Sequence, residues 1–290
     1  MASPVVQPIG CLTSPLGGVR DNPGMPKGTA NGPSSPMMAI DQVQSEMRIG
    51  VKPGQIGLSI AELRRSWQEA EDAGFESVWT FDHLTRAGGQ TMYEATALLA
   101  AMAEVTSRVR IGCLVLANGT RQVETLAATL STIDALSDGR LEVGLGTASS
   151  FARLDFDALD IPYPAWAERA ARFAAAVDRL VELTGPESPL GARPVQSPLP
   201  LILGGASADV RELAISRGLS WNISTDSVEQ FARLKVGQPD PQAQIFVGRT
   251  ASVPDAVEQF RQAGASRLVL VLEPPIAAGR IAGLARSVGL

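Results

Sequence analysis

The chain has 290 residues, of which 45% are hydrophobic and 19% charged, and its formal net charge is −5. This composition is typical of a globular protein with a sizeable core. It argues against a nucleic acid as the main partner, because neutralising phosphates needs a dense basic face. No apolar run approaches the roughly 18 residues of a membrane span, so no membrane partner is expected. Cys11, Cys113 and the single histidine show no metal-ligand spacing, so we expect free thiols, a cytoplasmic location and no metal.

Residues 1–46 differ from the rest of the chain. They are crowded with Pro, Gly, Ser and Met, and no helical or alternating apolar pattern persists among them. Such a segment buries too little apolar surface to offset the entropy lost on ordering, so we predict that it is disordered. Residues 47–290 are predicted to form a single domain.

From Met47 onward, short apolar strands alternate with helical patterns. We predict strands over residues 47–52, 77–81, 109–116, 140–145, 199–203, 219–224, 243–247 and 267–272. Helices are predicted over residues 60–73, 93–105, 123–136, 165–183, 208–217, 227–234, 254–263 and 276–287, and residues 151–164 are predicted to be a loop. Each strand is thus followed by a helix.

This alternation predicts an α/β fold, a (β/α)₈ TIM barrel. The strands are continuous apolar runs, such as Leu-Val-Leu-Val-Leu at residues 268–272, and strands buried on both faces pair in parallel. Eight such units in about 240 residues match the size of this barrel. An open doubly wound sheet would usually have a glycine-rich turn after its first strand, but that strand ends here in Lys52-Pro53-Gly54.

The carboxyl ends of the predicted strands are polar or rich in glycine, and in a barrel of this kind the site lies at those ends. Residues 204–207 read Gly-Gly-Ala-Ser and run into a helix. They predict either an anion cradle at a helix N-terminus or a tight turn with Ser207 as the helix cap. His83 can exchange a proton near neutral pH, and Asp82 either binds a ligand or caps the following loop. The other strand ends contribute Lys52, Asn118, Thr147, Trp221 and Asn222.

Five segments in this order resemble the luciferase-like flavin and deazaflavin oxidoreductases. They are AEDAGFESVW at residues 70–79, DHL at 82–84, TSRVRIG at 106–112, LSDGRLEVGLG at 136–146 and PLILGG at 200–205. The resemblance covers residues 47–272. It implies a barrel that binds coenzyme F420, a deazaflavin, or alternatively FMN, at the carboxyl mouth.

The resemblance also implies roles for individual residues. Asp82 would contact the cofactor ring, and His83 would lie near the centre of hydride transfer. A non-prolyl cis peptide at Leu114–Val115 would back the ring. The phosphate would bind at Gly204, Gly205, Ala206 and Ser207, and Trp221 and Asn222 match a Trp-Asn pair of the family. We expect Lys52, Asn118 and Thr147 to complete the cofactor site, and His83 or Tyr163 to supply a proton.

Three departures from the family pattern bear on the mechanism. Residues 147–150 read Thr-Ala-Ser-Ser where several deazaflavin dehydrogenases have a glutamate, so no glutamate partner is expected for His83. Arg121-Gln122-Val123 replaces the Arg-His-Pro of many flavin members. The segment before the fifth strand, which is often a longer lid in the family, is reduced to about residues 183–198. Either the pocket is open, or residues 151–164 cover the substrate.

The leading hypothesis is a reductase that transfers hydride from reduced F420 to an electron-poor C=C or C=N bond of a small organic substrate. One alternative is an FMN-dependent monooxygenase that uses O₂ and a separate flavin reductase. Another is a flavin-binding barrel without turnover. Relatives of this kind commonly dimerise, so a homodimer is a further option that the resemblance implies.

Overall fold

The computed structural model describes residues 46–85 and 89–290, so the segment predicted to be disordered lies outside the described residues except for Glu46. Eight strands form a closed barrel in sequence order, and every neighbouring pair is parallel. The strands are β1 Arg48–Pro53, β2 Ser77–Thr80, β3 Arg110–Ala117, β4 Leu141–Gly146, β5 Leu201–Gly204, β6 Ser220–Ser224, β7 Pro241–Phe246 and β8 Arg267–Leu272. The predicted (β/α)₈ barrel is confirmed.

Helices surround this barrel. They are α1 Ile60–Asp72, α2 Ala95–Val105, α3 Val123–Leu136, α4 Arg153–Ala158, α5 Trp166–Thr184, α6 Ala208–Arg217, α7 Val228–Leu234, α8 Val253–Gln262 and α9 Arg280–Ser287. Short 3₁₀ turns span Ser150–Ala152 and Val247–Arg249. In the part of the chain that the structure describes, no helix is both long enough and apolar enough to cross a membrane.

The helix predictions fail at three places. Residues 151–164 contain helix α4, whose six residues are too few to give a sequence period. Helix α2 begins at Ala95 rather than at residue 93, because the Glu94 side chain caps it by accepting from the Ala97 N–H group. Helix α9 begins at Arg280 rather than at residue 276, after Gly279 adopts a positive φ of 79°.

The barrel interior is filled below its carboxyl mouth. Trp79, Leu114, Ile202 and Val269 pack together inside it. At the amino-terminal end of the strands, the buried Arg267 guanidinium forms ion pairs with Glu142 at 2.5 Å and with Glu76 at 2.8 Å. The larger apolar core lies between the strands and the helices. These layers fill the lower barrel, which leaves the carboxyl ends of the strands as the place for a ligand.

Candidate active site

Three predicted residues, on strands β1, β3 and β6, meet in a buried polar chain inside the barrel. The Lys52 ammonium group donates to the Leu114 carbonyl oxygen at 3.2 Å and to the side-chain oxygen of Gln244. Gln244 in turn donates from Nε2 to Oδ1 of Asn222 at 3.2 Å. Burial lowers the pKa of Lys52 from 10.5 to about 8. Gln244 joins these predicted residues, although it carried no signal in the sequence.

One atom of this chain lacks a partner. Nδ2 of Asn222 is buried, and among residues 46–85 and 89–290 no group accepts a hydrogen bond from it. The residue as a whole is 1% exposed. A buried donor that stays unsatisfied costs about 1–3 kcal/mol. A ligand oxygen at this position would remove that cost.

Asp82, which follows β2, is held in a network of charges. Its two carboxylate oxygens accept from the Arg121 guanidinium at 2.6 and 2.8 Å, and Oδ2 also accepts from the Ala117 N–H group at 2.9 Å. Arg121 pairs with Glu94 as well. The Asp82 side chain is only 2% exposed. The acid is therefore fixed by the end of β3 and by Arg121, a residue that the sequence analysis did not propose for the site.

His83 has a carboxylate partner that the sequence did not predict. Its Nδ1 atom lies 2.8 Å from Oδ2 of Asp155 in helix α4. The imidazole side chain is 30% exposed, whereas that of Asp155 is 2% exposed. Residues 147–150 contain no glutamate, and the carboxylate beside the imidazole is an aspartate from helix α4, which the sequence did not predict.

The expected cis peptide is present between Leu114 and Val115, where the pairing of β3 with β4 shifts in register. Three glycines make room for this bulge. A Cβ on Gly144 would lie 2.2 Å from the Cys113 carbonyl oxygen, and one on Gly146 or Gly204 would lie 2.5 or 2.4 Å from a Val115 methyl group. The glycines of β4 and the first glycine of β5 therefore have a packing role.

The turn from β5 to α6 has the cap that one of the two interpretations of the sequence predicted, whereas the anion cradle stays a prediction. Ser207 is the N-cap of α6, and its hydroxyl accepts from the Val210 N–H group. Gly205 has a positive φ of 143°, a conformation that favours glycine. The N–H groups of the first helical turn have no acceptor within the helix, so the same turn offers donors to an anion.

Trp221 supports this turn from behind. Its indole N–H donates to the Gly205 carbonyl oxygen at 2.7 Å. The ring is fully buried and stacks on Phe231 of helix α7, with 6.3 Å between ring centroids. The two side chains of the Trp-Asn pair therefore lie on opposite faces of β6. Asn222 bonds to Gln244 inside the barrel, while the Trp221 ring packs between the barrel and the helices.

Tyr163 and the helix α4 segment lie over the ends of β3 and β4. The Tyr163 hydroxyl donates to the Ala148 carbonyl oxygen at 3.0 Å. Its ring packs against Phe156, in a cluster that also includes Ala117 at the end of β3. The Arg153 and Arg169 guanidinium groups lie 4.6 and 4.3 Å from the ring centre. Of the two options for residues 151–164, the structure thus favours a segment that covers part of the mouth.

Asn118 and Thr147 lie at the ends of the same two strands, and both are partly exposed. The Asn118 N–H group donates to the Gly146 carbonyl oxygen at 2.9 Å. Their roles in cofactor binding stay predictions. Across the two described ranges, no group of three His, Cys, Asp or Glu side chains could hold a metal ion.

A family model described as luciferase-like monooxygenase matches residues 43–263. The chain belongs to the luciferase-like monooxygenase family. This confirms the family that the sequence motifs indicate, and with it the prediction of an enzyme.

Curated relatives match part of the chain. An F420-dependent glucose-6-phosphate dehydrogenase of Intrasporangium calvum is 32% identical over 136 residues, which are 45% of this chain and 40% of that protein. A 5,10-methylenetetrahydromethanopterin reductase of Methanopyrus kandleri is 30% identical over 95 residues, 33% of this chain and 25% of that protein. The matches thus span less than half the length of these relatives.

Solved structures share the fold over most of the chain. An F420-dependent secondary alcohol dehydrogenase in complex with an F420-acetone adduct has a TM-score of 0.68 at 16% identity, covering 84% of this chain and 99% of that one. An EDTA monooxygenase of Chelativorans sp. BNC1 has a TM-score of 0.67 at 11% identity, covering 83% and 92%. At these identities the likeness supports the barrel alone.

Proposed function

We propose that this protein is an F420-dependent oxidoreductase that transfers hydride from reduced F420 to an electron-poor C=C or C=N bond of a small organic substrate. The main observation in favour of a cofactor site is that the Nδ2 atom of Asn222 is buried and has no hydrogen-bond acceptor among the described residues. The deazaflavin ring of F420 and the isoalloxazine ring of FMN both present carbonyl oxygens that could accept from this atom. The F420-dependent relatives favour F420 over FMN.

The residues present fit such a cofactor in three places. Asn222 would donate to a ring carbonyl, and the Gly204–Ser207 turn with the first turn of α6 would hold a phosphate. The Val115 side chain, in van der Waals range of Gly146 and Gly204, would back the ring. When bound, reduced F420 supplies a hydride. His83 would hold the proton that completes the reduction, and helix α4 with Tyr163 would limit the access of water.

A binding titration tests the cofactor. The purified chain is titrated with F420 and with FMN in parallel, and binding is followed by cofactor fluorescence. We expect the lower Kd for F420. A lower Kd for FMN would favour the FMN-dependent monooxygenase. If the chain bound neither cofactor, both the reductase and the monooxygenase hypotheses would be refuted.

The Asn222→Ala variant tests the site itself. We expect its Kd for F420 to rise about tenfold, because one buried hydrogen bond contributes about 1–1.5 kcal/mol. The matched control is Ser220→Ala, the first residue of the same strand, where the hydroxyl donates to Asp240 at 2.7 Å. Equal Kd values for the two variants would contradict the assignment of Asn222.

Turnover is tested by the absorbance of reduced F420 in the presence of a panel of enones and imines. Oxidation of the cofactor that depends on one of these substrates is the expected result. His83→Ala should then lower kcat about 10²–10⁴-fold, the usual contribution of a general acid. Turnover that is unchanged in His83→Ala would exclude the imidazole as the proton donor.

A further inference from the structure

Asp155 is bonded on both carboxylate oxygens. Oδ2 faces Nδ1 of His83 at 2.8 Å. Oδ1 accepts three hydrogen bonds, from the Leu84 N–H group at 2.9 Å and from the N–H and hydroxyl groups of Thr85, both at 2.8 Å. Helix α4 therefore holds the segment that follows β2 through one buried side chain. The orientation of this carboxylate is fixed by four partners.

The charge of Asp155 decides which imidazole nitrogen carries hydrogen. Burial alone would raise the pKa of Asp155, but the hydrogen bonds from His83, Thr85 and Leu84 bring the pKa below its ordinary value. The carboxyl group is thus ionised at neutral pH, and an ionised carboxylate only accepts hydrogen bonds. Nδ1 of His83 must therefore be the donor, and Nε2 is the ring nitrogen that does not face Asp155. Within residues 46–85 and 89–290, Nε2 has no hydrogen-bond partner.

We propose that Asp155 is a positioning residue that holds His83 in the Nδ1–H form, so that Nε2 exchanges the proton with the substrate. The part concerning the substrate rests on the proposed function, whereas the part concerning the tautomer does not. In the reduction, the double bond takes a hydride at one atom and the Nε2 proton of the charged ring at the other. The Nε2–H bond breaks, and His83 remains as the neutral Nδ1–H imidazole. A carboxylate that fixes a catalytic imidazole in one tautomer acts in this way.

The Asp155→Asn substitution should reverse the tautomer without removing the side chain. The three donors from Leu84 and Thr85 require an acceptor, so they hold the amide oxygen at the position of Oδ1. The amide nitrogen then takes the position of Oδ2 and presents a donor to Nδ1. Two donors cannot bond to each other, so the ring moves its hydrogen to Nε2 and accepts at Nδ1.

Nuclear magnetic resonance can read this directly, because His83 is the only histidine in the chain. The full chain is labelled with ¹⁵N-histidine, and long-range ¹H–¹⁵N spectra are recorded without cofactor at a pH where the ring is neutral. The nitrogen that bears hydrogen is identified by its upfield shift and by its couplings to the two ring protons. We expect hydrogen on Nδ1 in the natural chain and on Nε2 in Asp155→Asn. The matched control is Asp157→Asn, an exposed acid on the same helix, which should keep the Nδ1–H form.

Two results would overturn the proposal. Hydrogen on Nε2 in the natural chain would refute it even if Asp155→Asn failed to fold, and an unchanged tautomer in a folded Asp155→Asn would refute the positioning role. Once a substrate is known, Asp155→Asn should lower kcat about 10²–10⁴-fold with little change in KM. A chain that binds no F420 but shows the expected tautomers would contradict the proposed function and leave the role of Asp155 intact.

Discussion

The packing of Val115 against two glycines makes the substitution Gly204→Ala a sharp test of the barrel mouth. A Cβ at this position would lie 2.4 Å from Cγ1 of Val115, about 1 Å short of the ordinary contact distance of 3.4 Å. Val115 cannot easily turn away, since β-branched side chains are stiff at χ1 and its other methyl group already faces Gly146. Overpacking of this kind costs about 1–3 kcal/mol.

The loss of stability in Gly204→Ala should depend on the Val115 side chain, and a double-mutant cycle measures that dependence. Val115→Ala removes both methyl groups and should cost about 1 kcal/mol by itself, because the side chain is only partly buried. In the double variant the new Cβ at residue 204 has no clash partner at Val115. The loss of stability should therefore fall short of the sum of the single losses by about 1–2 kcal/mol.

Urea unfolding followed by tryptophan fluorescence provides the free energies, with the slope m expected to stay constant. Gly191→Ala is the matched control, since a Cβ there meets nothing within 4 Å, and surface changes of this kind stay within about 0.5 kcal/mol. If Gly204→Ala were as stable as Gly191→Ala, or if the two substitutions were additive, the packing role of Gly204 would be refuted.

Two further predictions concern the dependence of stability on pH. Burial alone would raise the pKa of Glu71, but the N–H groups of Val109, Arg108 and Ser107 lower it from 4.5 to about 2. The folded-state pKa lies below the unfolded one, so the stability that ionised Glu71 contributes is complete above about pH 4.5 and is lost as the pH falls towards 2. In urea unfolding, Glu71→Gln should therefore lose less free energy of unfolding than the natural chain over this range. Parallel curves of unfolding free energy against pH for the two chains would contradict this prediction. For Lys52 the folded-state pKa of about 8 lies below 10.5, so the unfolded chain binds more protons between these values and stability rises with pH there. Lys52→Met should show a flatter rise in the same assay, and an equally steep one would show that another group is responsible.

The sequence was a good guide to the barrel because its strands carry the necessary information locally. Residues 267–272 form β8, and their continuous apolar pattern is a property of the segment itself. The cis peptide at Leu114–Val115 was expected from the family resemblance, because the glycines that leave room for it stand at residues 144, 146 and 204, far from it along the chain. By contrast, helix α4 has only six residues, which is less than two turns, so no apolar period could distinguish it from a loop.

The site was predicted less completely than the fold. The positions of Lys52 and Asn222 follow from the rule that strand ends meet at one face of the barrel, and the structure joins them through Gln244. Arg121 was not predicted to belong to the site, because nothing near it in the sequence indicates that it pairs with Asp82.

The sequence by itself determined the barrel, its carboxyl face and the motif Asp82-His83 at the end of β2, since each of these follows from a period or from a strand end. Only the tertiary structure decided what these two residues contact. Asp155 is separated from His83 by 72 positions and lies on a helix without a sequence signature. Hydrogen bonding acts over about 3 Å of space and carries no record of separation along the chain. The partner of the only histidine therefore became apparent only when the chain was folded.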